Sequence, residues 1–244
     1  MEKKQVRYEH NEVTLEGFLY MPSVLEDIRG AVLMVHEFTG IGEYLFPHAE
    51  RLVEWGYVVL LHDMYGKGNT PGNREQASEL ARSFKEDRPL MRERMRVGLK
   101  YLSDLGEVDE QNIFALGFSF GGCCVLELAR SGAALKGTVS IYGNLCTPDP
   151  SLAGNIEGRV LALHGARDPV VEQKELNDFV EEMKKANVNC RIKVFTGAGH
   201  GFCNNTLPRE PHEGIFYSAY FDSLTWQDVR GFLEEEEYLK GWKA

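Results

Sequence analysis

Residues 112–130 read NIFALGFSFGGCCVLELAR. The run Ile113–Leu116 is continuously apolar, as a strand covered on both faces requires. Gly117-Phe118-Ser119-Phe120-Gly121 follows at once, a G-x-S-x-G, and the apolar segment after it reads as a helix. The chemistry of that motif needs this context. Small residues let the backbone pass closely through a sharp strand-to-helix turn, and the turn lifts the serine Oγ clear of the sheet. The helix N-terminus beneath it offers unpaired N–H groups and a positive dipole end to an oxyanion. In isolation the same five residues are also a Gly-rich turn with an idle serine, so the rest of the chain has to decide.

Working outward, AVLMVH (31–36), YVVLLH (57–62), GTVSIY (137–142) and RVLALH (159–164) repeat the continuous apolar pattern, and CRIKVF (190–195) predicts one more strand. Helical stretches are predicted at 44–55, roughly 73–104, 120–131, 172–187 and about 216–239. The first twenty residues alternate apolar and polar (Val13, Leu15, Phe18, Tyr20), which predicts an antiparallel hairpin. Alternating strands and helices behind such a start predict an α/β fold: a doubly wound, mostly parallel sheet with antiparallel N-terminal strands, in one domain over 1–244. Sheets of this kind bind ligands beyond the carboxyl ends of their strands. Glu37 and Phe38, Ser119, Asp168 and His200 all fall there.

Asp168 follows the strand RVLALH, and His200 lies in the Gly-rich loop FTGAGHGF after the next. Alone, Asp168 reads as a turn aspartate before Pro169 and His200 as an ordinary loop histidine. The order Ser, Asp, His at three strand ends is the order of the α/β-hydrolases, and it nominates Ser119 as nucleophile, His200 as base and Asp168 as the group orienting it. In that fold the residue after the nucleophile and the loop after the early strand supply oxyanion N–H groups, which nominates the backbones of Phe120 and Phe38. Glu37 beside that loop is unusual for a plain esterase; the bland alternative is a salt-bridged loop glutamate. Phe118 is a candidate aromatic wall for the substrate pocket.

Composition narrows the class. A formal charge of −10 repels phosphate backbones and anionic lipid, so nucleic acid and membrane are excluded as partners, and an anionic substrate would need a local cation. Five cysteines without metal-ligand spacing read as reduced thiols of a cytoplasmic protein. The N-terminus has no apolar signal-like stretch, and no window approaches the ~20 apolar residues of a membrane span. His36, His62 and His164 end separate strands and read as locally hydrogen-bonded, so neither a metal nor another cofactor is implied. The sequence gives no oligomeric state.

The stretch HEFTGIGEYLFPHAERLVEWGYVVLLHDMYGKG (36–68), the GFSFGG elbow, HGARDPVV (164–171) and AGHGF (198–202) resemble the dienelactone hydrolase family over essentially the whole chain. Glu37 and the group Asp63-x-Tyr65-Gly66 are more specific marks than the serine, aspartate and histidine themselves. The resemblance implies hydrolysis of a small lactone or ester. In its best-known members the nucleophile is a cysteine contacted by the glutamate; here those places hold Ser119 and Glu37, so Ser119 depends more fully on His200 as base. Cys123, one turn on, reads as a small core residue. Two family arginines hold a substrate carboxylate. Arg74 matches the first, and Asn204 stands where the second would be, with Arg209 a distant substitute.

The leading reading is a serine-dependent hydrolase of a small carboxylic ester or lactone, working through an acyl-enzyme. The alternatives are a true dienelactone hydrolase (carboxymethylenebutenolidase), a peptidase or acyltransferase on the same residues, and a non-catalytic binding protein with a hydrolase pocket. Segment 203–218 is predicted to be a loop over the site, and Glu234–Glu237 a solvated helix face.

Overall fold

A computed structural model describes residues 1–211 and 213–235. The strands are β1 (Glu2–His10), β2 (Val13–Met21), β3 (Gly30–Val35), β4 (Tyr57–His62), β5 (Ile113–Phe118), β6 (Gly137–Ile141), β7 (Arg159–Gly165) and β8 (Cys190–Phe195). They form one sheet in the order β1-β2-β4-β3-β5-β6-β7-β8. The β1–β2 hairpin pairs antiparallel and joins β4 antiparallel, while every pair from β4 to β8 is parallel. The predicted fold class is the one observed.

The helices are α1 (Phe46–Glu54), α2 (Arg74–Glu86), α3 (Arg88–Ser103), α4 (Phe120–Arg130), α5 (Gln173–Lys185) and α6 (Ala219–Glu234). They cover both faces of the sheet. Ala31, Leu33 and Val35 of β3 pack with Met91, Met95 and Leu128 on one side. Val32 and Met34 pack with Leu52, Trp226 and Val229 on the other. Burial on both faces is why these strands lack polar alternation.

The stretch 73–104 is two helices rather than one. Asp87 leaves the helical region (φ −112°, ψ 78°), its side chain accepts from Leu90 N, and Pro89 opens α3. Proline has no N–H for a continuing helix and suits a first turn, so the chain restarts there. The last helix begins at Ala219, later than expected, because Ser218 caps it by accepting from Phe221 N at 3.4 Å. In the acidic run, Glu234 pairs with Arg29 and Arg230, and Glu235 with Arg191, so these two are bridges rather than a free face; Glu236 and Glu237 lie outside the described residues.

Helix α4, which carries the residues after Ser119, is anchored by a buried ion network. Arg130 forks onto Glu182 of α5 through Nε and Nη2, each at 2.8 Å, and also meets Glu127. Arg92 of α3 binds Glu127 in turn. Buried charges persist only when paired in this way. Among the described residues no helix is long and apolar enough to cross a membrane, and no cluster of three His, Cys, Asp or Glu side chains could hold a metal.

Candidate active site

The link between β5 and α4 is the single residue Ser119, held at φ 52°, ψ −113°. A non-glycine residue there costs on the order of 1–3 kcal/mol and persists only when its surroundings force it. They do so here. Ser119 N donates to Ile141 O at 3.0 Å. A Cβ on Gly117 would lie 2.1 Å from Gly121 O, and one on Gly121 would lie 2.4 Å from Val35 O. Both glycines are therefore required by close backbone passage, and the serine is presented outward.

Ser119 Oγ lies 2.8 Å from His200 Nε2, and His200 Nδ1 lies 2.8 Å from Asp168 Oδ2. An ionised carboxylate only accepts, so Nδ1 carries the proton and Nε2 is free to accept from the serine hydroxyl. Asp168 is itself fixed, its Oδ1 accepting from Val170 N at 2.8 Å and Val171 N at 3.0 Å. His200 is clamped through its backbone: its N–H donates to Gly214 O at 2.7 Å, and Phe216 N donates to its carbonyl at 3.1 Å. The segment 203–218 thus holds His200 in place, and its Leu207 and Ile215 line the adjoining cavity.

That cavity, about 360 Å³, is bounded by Glu37, Phe38, Ser119, Phe120 and His200 on the sheet side. Helix α2 supplies Arg74, Ser78, Ala81, Arg82 and Lys85 as the opposite wall. Arg74 sits in the first turn with its guanidinium 5.5 Å from the Phe38 ring centroid. Lys85 donates to Asn144 Oδ1 at 2.6 Å. The lining thus carries three cationic side chains, Arg74, Arg82 and Lys85, and one acidic residue, Glu37, in a chain of net charge −10. A larger recess of about 590 Å³, bounded by Leu99, Ile113, Leu135 and Gly158, lies at the opposite, N-terminal ends of the strands. Sheets of this class do not bind ligands at that end.

Glu37 is buried. Its Oε1 accepts from Tyr142 OH at 3.1 Å and its Oε2 from Asn204 Nδ2 at 2.9 Å. Burial pushes its carboxyl above the ordinary range, opposed by His200 and these two donors. Tyr142 is the first residue after β6, at φ 39°, with its ring 5.2 Å from that of His200.

Two candidate substrate contacts are corrected. Phe118 does not line the cavity: its side chain points to the other face of the sheet, stacked on His48 at 5.0 Å and against Tyr142. Alternation along β5 turns it there, away from α2. Asn204 is buried and turned to Glu37 instead of the cavity. The strand-end histidines differ among themselves. His36 uses both ring nitrogens, His62 binds Tyr8 OH through Nδ1 alone, and His164 Nδ1 has no partner among the described residues. Cys123 is fully buried and receives a hydrogen bond from Arg88.

Sequence reasoning missed Arg82, Lys85, Asn144 and Tyr142. The first two were legible as one helical face, since 74, 78, 82 and 85 follow the i, i+4, i+8, i+11 spacing. Tyr142 ends an apolar strand, the same signal that found the other site residues. Asn144 had no signal of its own.

A model of the dienelactone hydrolase family matches residues 15–237. A protein of Saccharolobus solfataricus, provisionally named a carboxymethylenebutenolidase, is 23% identical over 95% of this chain and 98% of its own. The solved structure m3DLH is 29% identical with a TM-score of 0.91, covering 96% of this chain and 97% of that one. A dienelactone hydrolase-like promiscuous phosphotriesterase from metagenomic libraries is 27% identical with a TM-score of 0.89, covering 95% and 97%.

Proposed function

This chain belongs to the dienelactone hydrolase family, with the α/β-hydrolase fold and hydrolysis of ester or lactone bonds as its activity, and we propose that it cleaves a small carboxylic ester or lactone with Ser119, His200 and Asp168 as a catalytic triad. The observation that carries the reading is the unbroken hydrogen-bonded line from Asp168 through His200 to Ser119 at the edge of the 360 Å³ cavity.

In this mechanism Ser119 Oγ attacks the substrate carbonyl carbon as its proton passes to His200 Nε2. The carbonyl π pair moves onto oxygen, which the amides of Phe38 and Phe120 hold. Asp168 stabilises the imidazolium without taking its proton. When the intermediate collapses, the C–O bond to the leaving group breaks and the alkoxide takes the proton from His200. Water then gives its proton to His200 while its oxygen attacks the acyl-enzyme, and the second collapse releases the acid and returns the proton to Ser119. Two oxyanion donors contribute several kcal/mol, on the order of 3 each. Glu37, with both oxygens engaged by Tyr142 and Asn204, is a buried carboxyl beside His200 and not a partner of the nucleophile.

A carboxylated lactone is the second reading, and the cations Arg74, Arg82 and Lys85 on the α2 wall favour it. The test is kcat/KM for a carboxylated dienelactone against a neutral short-chain aryl ester on the pure enzyme. A ratio well above one selects the carboxylated substrate and a ratio well below one the neutral ester. Activity on neither overturns both.

A further inference from the structure

The motifs His36-Glu37-Phe38 and Asp63-x-Tyr65-Gly66 sit on neighbouring strand ends, and their side chains converge on the Phe38 peptide groups. His36 Nδ1 lies 2.6 Å from Glu37 O, and Met64 N donates to His36 Nε2 at 3.2 Å. A carbonyl only accepts and an amide only donates, so the tautomer is dictated: Nδ1 carries the proton and Nε2 is bare. The buried ring is neutral, its basicity lowered by desolvation. Gly40 N–H donates to the same Glu37 carbonyl at 3.1 Å. That carbonyl and the Phe38 N–H belong to one planar peptide and point in opposite directions. Fixing the carbonyl therefore aims the N–H, and hydrogen bonds to the oxygen polarise the N–H further.

Tyr65 fixes the next peptide, its hydroxyl donating to Phe38 O at 2.7 Å. Its ring lies 4.8 Å from His36 and stacks on Phe120 at 5.7 Å. Tyr65 is held in turn by Asp63 Oδ1, which accepts from Tyr65 N at 2.9 Å and Gly66 N at 3.0 Å. One unit thus touches both residues whose amides are assigned to the oxyanion.

We infer that His36 and Tyr65 are positioning residues that set the Phe38 amide as an oxyanion donor and brace it against Phe120. The inference rests on the Ser119 mechanism above. The experiment compares kcat and KM for an aryl ester and for its thionoester, whose larger, weaker sulfur acceptor gains little from a well-placed donor, in His36→Leu, His36→Asn, Tyr65→Phe and Ser119→Ala. Tyr65→Phe removes one hydroxyl and keeps the stacked ring, and a ratio between two substrates is independent of how much protein folds. For His36→Leu and Tyr65→Phe, the ester kcat should fall about tenfold or more with KM nearly constant. The ester-to-thionoester ratio should fall with it. His36→Asn, whose amide N–H can reach the Glu37 carbonyl, should recover most of the loss. An unchanged ratio in both His36→Leu and Tyr65→Phe overturns the inference. If Ser119→Ala is dead in that case, the failure is confined to this inference; if Ser119→Ala keeps its turnover, the underlying mechanism fails as well.

Discussion

Asn204 donates from Nδ2 to Oε2 of Glu37 at 2.9 Å, although 167 positions separate them in the chain. The contact is buried, and Tyr142 completes it from the other side at 3.1 Å. A side chain that the sequence aimed at the substrate instead holds the Glu37 carboxyl in place.

That arrangement fixes how stability responds to pH. The Glu37 carboxyl is raised above its usual value by burial, so the folded state binds the proton more tightly than the unfolded one. Stability from this group is present at low pH and falls as pH rises from about 4.5 through the raised value. Asn204→Leu removes a donor to the charged form and should cost about 1–3 kcal/mol at pH 8 and less at pH 5, measured by urea unfolding. Equal losses at the two pH values would contradict it. Glu37→Gln should flatten the same decline.

The buried histidines act in the opposite direction. His48 falls from 6.5 to about 4 and His62 to about 3, both chiefly through desolvation. Their lowered values mean that the unfolded state binds more protons, so their contribution is complete above pH 6.5 and is lost as pH falls below it. For His48 this amounts to roughly 3 kcal/mol at about 1.4 kcal/mol per pH unit. His48→Gln keeps a donor for Cys203 O, which His48 Nε2 contacts at 3.0 Å, but cannot titrate. The slope of unfolding free energy between pH 4 and 6.5 should drop by about one proton.

On the proposed mechanism, Ser119→Ala should lower kcat by roughly three orders of magnitude or more, because members of a catalytic triad act as a unit. Cys123→Ala should stay within a few-fold of wild type, since Cys123 is fully buried and does not line the cavity. A collapse of the Cys123→Ala rate without unfolding, beside near-normal Ser119→Ala turnover, would assign the chemistry to the thiol.

The α2 wall predicts charge selectivity. The double substitution Arg82→Met with Lys85→Met should lower kcat/KM for a carboxylate-bearing ester about tenfold, or about 1.4 kcal/mol, and leave a neutral ester of the same size nearly unchanged. Raising ionic strength should narrow the wild-type preference in the same sense. Equal effects on both esters would remove these cations from substrate recognition.

The sequence by itself determined the sheet and the positions of Ser119, Asp168 and His200. Strands buried on both faces must be apolar throughout, and in a parallel sheet the residues following them collect at one edge. The serine turn was legible because its geometry is local: Gly117 and Gly121 are demanded within five residues. The tertiary structure alone decided which way the neighbouring side chains point. A strand apolar on both faces carries no mark of which face meets the cavity, so Phe118 read as a pocket wall and lies in the core. The Asn204 contact with Glu37, the two backbone bonds that clamp His200 and the α2 wall join segments far apart in the chain. Such contacts follow from the packing of helices and loops over the sheet edge, which residue spacing along the chain does not encode.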